Sequence, residues 1–170
     1  MARIIIKPNE RIALEITYGM DIKEIDHFLK RRDIEHVADF IKLLRDNAIT
    51  PYLCGSVING YLFSGEKEYN DIDILGTAKT PKENELVNTL YALTSDVNPD
   101  PKFKIGTNSF NVKRIPPSRY MGADLEYEFL FNPEGRSLSK RRRTPIDLGI
   151  ISEKDLQSVD MWIIIENTRQ

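Results

Sequence analysis

The sequence predicts an α/β fold of the α+β type, a mixed sheet with helices packed on it. Three observations predict it. Apolar residues recur at helical spacing behind capping residues, as in Thr80-Pro-Lys-Glu83 followed by Leu86, Val87, Leu90 and Leu93. Elsewhere they alternate: between Ala123 and Phe131, Leu125, Tyr127, Phe129 and Phe131 interleave with Asp124, Glu126 and Glu128, a period of two that belongs to a strand. Across residues 52–93 the order strand, helix, strand, helix is the opening of an α/β unit.

Taken in order, Ala2 to Lys7 reads as a short strand because three isoleucines run together. Ile12 to Tyr18 extends it or forms a second element. Asp21-Ile-Lys-Glu24 has the form of a capping box, with Ile22, Ile25, Phe28 and Leu29 at helical spacing behind it. A second helix starts near Asp33, with a stripe of Ile34, Val37, Ala38, Ile41 and Leu44. His27 and His36, isolated on these helices, read as surface or satisfied groups rather than ligands. Asn47 to Pro51 ends the helix, and Tyr52-Leu-Cys54 is the next strand. Val57 to Phe63 reads as a short helix, and Ser64 to Asn70 as a polar loop. Thr80-Pro-Lys-Glu83 is the clearest helix start, with Thr80 as cap and Pro81 in the first helical position. Downstream, Lys102–Ile105, Ser109–Ile115, Ala123–Phe131 and Pro145–Ile151 are extended. Ser152-Glu-Lys-Asp155 reads as a helix cap, and Val159 to Ile165 continues that helix or forms a last strand.

Composition bounds the function. The 170 residues suggest one domain (1–170), divided into an N-terminal strand and helices (1–50), a core (51–151) and a C-terminal element (152–170). A hydrophobic content of 41% and a charged content of 29% are those of a globular protein. A net charge of −2 provides no global field for nucleic acid. One cysteine leaves no internal disulfide and no cysteine-cluster zinc site. No stretch reads as a membrane span or secretory signal, so the expected location is the cytoplasm.

The chemistry gathers between residues 52 and 76. Tyr52-Leu-Cys54 delivers the chain to Gly55-Ser56, and Asp71-Ile-Asp73-Ile-Leu75 follows after the intervening loop. In a strand, Asp71 and Asp73 share one face about 6–7 Å apart, while Ile72 and Ile74 point into the core. Adjacent aspartates repel unless a cation lies between them, and hard oxygen ligands suit Mg²⁺. Gly55 allows close approach of the backbone to a phosphate, and Ser56 offers a hydroxyl donor. A helix N-terminus at Val57 favours an anion there.

Gly55-Ser56 followed by Asp71-Ile-Asp73-Ile74 resembles the signature of the DNA polymerase β-like nucleotidyltransferase superfamily. Cys54 stands where many members carry a second glycine, and the spacing from Ser56 to Asp71 is somewhat long for the pattern. The resemblance implies a nucleotidyltransferase-like fold. It also implies transfer of a nucleoside monophosphate from a nucleoside triphosphate to an acceptor hydroxyl, with two Mg²⁺ or Mn²⁺ ions. Asp71 and Asp73 would hold metal, and Gly55 and Ser56 the phosphates. The acceptor would be a small molecule such as an aminoglycoside, a protein hydroxyl or an RNA 3′ end.

The same resemblance implies a third carboxylate from a neighbouring strand. Two positions compete for it. Asp147, framed by Ile146 and Leu148, has the pattern of an acid projecting from a buried strand. The rival is the acidic face of Asp124, Glu126 and Glu128, which also reads as a solvated sheet face. With neither, the chain would be a catalytically inactive relative that binds nucleotide or a partner. A third reading is a structural module that associates through its N-terminal helices. Lys140-Arg-Arg-Arg143 reads either as a phosphate or RNA contact or as a solvated loop tip.

Overall fold

The structure is a computed structural model. It describes residues 2–6, 12–16, 28–55, 57, 65–95, 101–116, 124–132, 144–158 and 163–166. The class is α+β, a mixed sheet with helices. The strands are β1 (Ala2–Ile6), β2 (Ile12–Ile16), β3 (Thr50–Cys54), β4 (Ile72–Ala78), β5 (Lys102–Ile105), β6 (Asn108–Ile115), β7 (Leu125–Asn132), β8 (Ile146–Ser152) and β9 (Ile163–Glu166). The helices are α1 (Arg31–Asp46), α2 (Glu85–Leu93) and α3 (Glu153–Ser158). Among the described residues the strands form one sheet in the order β5-β6-β7-β8-β4-β3-β2-β1-β9. Every pair is antiparallel except β4 with β8. The stretch from residue 12 is therefore a separate strand paired back on β1, and the apolar stretch after residue 159 ends as a strand.

One face of the sheet carries the core. Ile72, Ile74, Ile146, Leu148, Ile150, Tyr127, Phe129 and Phe110 project towards α1 and α2 and bury Val37, Phe40, Leu44, Leu86, Val87 and Leu90 with them. Fully burying such a side chain contributes roughly 1.5–3 kcal/mol. Phe40 meets Phe129 edge to face, with centroids 5.0 Å apart, and Phe110 and Phe131 extend the aromatic cluster. Because side chains alternate, the intervening residues of β4, β7 and β8 occupy the opposite face. That face carries the acids.

The buried stripe of α1 differs from the expected one. Ile34 and Ala38 are only half-buried, whereas Asp33, His36 and Phe40 are fully buried. His36 is thus an interior residue, its Nε2 lying 3.4 Å from the Thr144 carbonyl. Pro51 does not merely end a helix; it sits inside β3 opposite Gly76. The pairing of β2 with β3 reaches only Tyr52, so at Pro51 the strand has a paired neighbour on the β4 side alone, the kind of edge position that tolerates proline.

The start of α2 also differs. Thr80 makes no capping bond, and Pro81–Glu83 forms a single 3₁₀ turn. The cap is Asn84, whose side chain accepts from the Val87 N–H at 3.1 Å and donates to the Asn47 carbonyl at 2.7 Å. A contact with the end of α1 therefore selects the start of α2. The cap at Ser152 is as expected, its hydroxyl accepting from the Asp155 N–H. The helices expected from Asp21 and across Val57–Phe63 lie almost wholly outside the described residues, as do His27, Ser56 and the basic run 140–143. Among the described residues no helix is long and apolar enough to cross a membrane.

Candidate metal centre

β4 and β8 run parallel in register, with Asp73 paired to Asp147. Paired residues on adjacent strands project from the same face about 4.8 Å apart. Asp71 stands immediately before β4, two residues ahead of Asp73 and on the same side. The geometry therefore gathers three carboxylates. One ligand oxygen each from Asp71, Asp73 and Asp147 lies within 4.8 Å of the others, close enough to hold a metal ion. The row across the sheet reads Cys54, Asp73, Asp147, Glu128, Lys113.

The electrostatics match this crowding. Burial pushes the Asp73 carboxyl up to about 7, the charge of Asp71 adding to it, while a hydrogen bond with Asp147 pulls the other way. Asp147 is pushed to about 8, by burial first and then by the charges of Asp71 and Asp73. Three neighbouring carboxylates cannot all ionise cheaply. Without a cation, Asp147 keeps a proton near neutral pH and shares it with its neighbours. Its Oδ1 is buried and has no hydrogen-bond partner among the described residues. A cation would supply what that oxygen lacks, so the donor set fits a hard divalent metal.

Gly55 closes the site on the β3 side. Its φ is +72°, a backbone conformation that side chains rarely adopt. A Cβ there would collide with Oδ2 of Asp73. The glycine therefore both makes the turn after β3 and leaves room for the aspartate carboxylate. Its expected partner at the phosphate corner, Ser56, lies outside the described residues.

The two rivals for the third carboxylate are neighbours. Glu128 pairs with Asp147 across β7 and β8, and Glu126 pairs with Gly149. Asp147 joins the cluster of three, whereas Glu126 and Glu128 act on it through their charge. The solvated reading fails for Glu126, which is 2% exposed. Glu128 is half-buried and Leu130, further along the same face of β7, is exposed, so the covering reaches only the part of the strand beside Asp147.

Sequence reasoning missed Asp33. It is fully buried and accepts hydrogen bonds from Tyr69 Oη at 2.6 Å and Thr144 Oγ1 at 2.7 Å. Asp33 lies four residues before Val37, on the buried stripe of α1, and an acid in that position was the available signal.

Comparison with protein-family models, with curated proteins and with solved structures finds no match to this chain.

Proposed function

We propose that this protein is a Mg²⁺-dependent nucleotidyltransferase that moves a nucleoside monophosphate from a nucleoside triphosphate to an acceptor hydroxyl. The observation that carries the reading is the convergence of Asp71, Asp73 and Asp147 beside a glycine whose missing side chain leaves room for Asp73. The Gly55-Ser56 … Asp-x-Asp pattern, the parallel β4–β8 pair and the orphaned Asp147 oxygen support it together.

Asp71, Asp73 and Asp147 would hold the metal. Bound Mg²⁺, one ion or two, supplies Lewis acidity for the phosphates and lowers the pKa of the acceptor hydroxyl. Gly55 and Ser56 receive the β- and γ-phosphates of the nucleotide, where a glycine allows close approach of the backbone. The acceptor oxygen bonds to the α-phosphorus as the bond to the bridging oxygen breaks, and pyrophosphate leaves. Asp147 takes up the hydroxyl proton. Holding the two reactants in line contributes much of the acceleration.

The test is release of pyrophosphate from radiolabelled nucleoside triphosphates in the presence of Mg²⁺ and a panel of acceptors (aminoglycosides, proteins and RNA 3′ ends). Loss of turnover in Asp71→Asn and Asp73→Asn supports the reading. Unchanged Mg²⁺-dependent transfer in both variants defeats it. Tight nucleotide binding by the wild type without turnover on any acceptor would favour a non-catalytic nucleotide-binding protein instead.

A further inference from the structure

We infer that Asp33 is a positioning residue for the three-aspartate cluster, holding together the two chain segments that lead into β4 and β8. The inference deepens the metal-centre reading and rests on it for its functional meaning.

The carboxylate of Asp33 is fully buried in the first turn of α1. Its Oδ2 accepts from Tyr69 Oη at 2.6 Å and from Thr144 Oγ1 at 2.7 Å, and its Oδ1 accepts from the Thr144 N–H at 3.2 Å. Tyr69 Oη in turn accepts from the Lys30 N–H at 2.7 Å, which ties it to the start of the same helix. His36 Nε2 stands 3.8 Å from Asp33 Oδ1 and 3.4 Å from the Thr144 carbonyl. Tyr69 precedes Asp71 by two residues, and Thr144 precedes Asp147 by three. Between these segments the Ile72 N–H donates to the Pro145 carbonyl at 2.9 Å, a backbone bond that joins them where the strands begin.

The physical consequence is control of register. A one-residue slip of β8 against β4 would turn Asp147 to the core face, and a two-residue slip would carry it about 7 Å from Asp73. The electrostatic cost of crowding three carboxylates favours such a displacement when no cation is bound. Asp33 opposes it by gripping both segments from one rigid helix. Three donors converge on its two oxygens. An amide in its place offers one oxygen, so at least one buried donor loses its acceptor.

Amide hydrogen exchange and Mn²⁺ titration of the full chain test this. In Asp33→Asn, exchange at Ile72 should accelerate about tenfold more than at Val112 in β6, and Mn²⁺ affinity should fall about tenfold. Tyr69→Phe and Thr144→Ala each remove one donor and should shift both readouts in the same direction by less; they carry the test if Asp33→Asn fails to fold. Leu90→Ala, a cavity in α2 away from the junction, should raise exchange at Ile72 and Val112 together and leave Mn²⁺ affinity within about twofold. The inference is overturned if Asp33→Asn behaves like Leu90→Ala, or if exchange at Ile72 rises while Mn²⁺ affinity holds. A wild type that takes up no Mn²⁺ would remove the metal centre, and the ratio of exchange at Ile72 and Val112 would still decide whether Asp33 holds the junction.

Discussion

Asp73 and Asp147 are paired across β4 and β8, the one parallel pair among the described strands. That pairing lets residues distant in the chain become lateral neighbours on one face. It crowds three half-buried acids together and leaves an Asp147 oxygen without a hydrogen-bond partner among the described residues. The arrangement carries an electrostatic cost, which a divalent cation would relieve.

The first consequence is a dependence of stability on pH. Asp73 and Asp147 have raised proton affinity when folded, at about 7 and about 8. The folded state therefore binds more protons than the unfolded state between the ordinary carboxylate range and those values. Their contribution is fully present at low pH and is lost as pH rises through about 7 to 8. Thermal melts in EDTA should show the midpoint falling from pH 5 to pH 8, and saturating Mg²⁺ should remove most of that fall. Asp147→Asn should melt higher than the wild type in EDTA at pH 8, because it deletes a repelling charge.

Gly55 and Gly65 share a φ of +72° but differ in surroundings, since a Cβ at Gly65 meets nothing within 4 Å. Gly65→Ala should cost about 1–2 kcal/mol, the backbone penalty alone. Gly55→Ala should cost more than that in urea unfolding and should also abolish metal binding, because its methyl group displaces the Asp73 carboxylate.

The cap of α2 gives a test of the fold independent of the site. Asn84→Ala removes a bond to Val87 and another to Asn47 and should cost about 1 kcal/mol or more in chemical denaturation. Thr80→Ala, exposed and making no cap bond, should lie within about 0.5 kcal/mol of the wild type.

Glu128 is the lateral neighbour of Asp147 but stands outside the cluster of three. Glu128→Gln should leave Mn²⁺ affinity within about threefold of the wild type, whereas Asp147→Asn should lower it by more than about tenfold. Isothermal titration at pH 8 separates the two.

Much of the site was legible because it follows local periodicity. Asp71 and Asp73 alternate with Ile72 and Ile74, and Asp147 stands between Ile146 and Leu148, so each could be assigned to the side opposite the core. The choice between Asp147 and Glu126 or Glu128 was not legible. It depends on the register of three strands, and strand pairing is a long-range property that local pattern does not carry. The same limit explains Thr80. Its capping box is locally complete, yet the bond from Asn84 to Asn47 decides where α2 begins. Asp33 escaped notice because an acid near a helix N-terminus has a sufficient local explanation in the helix dipole. Its bonds to Tyr69 and Thr144 exist only in the folded chain.

The most direct measurement is titration of Mn²⁺ into the metal-free full chain at pH 8, followed calorimetrically, for the wild type, Asp73→Asn and Asp147→Asn. A metal centre built from the three aspartates predicts saturable binding by the wild type and a loss of about tenfold or more in affinity in each variant. Binding of equal strength in all three, or none in the wild type, would contradict it.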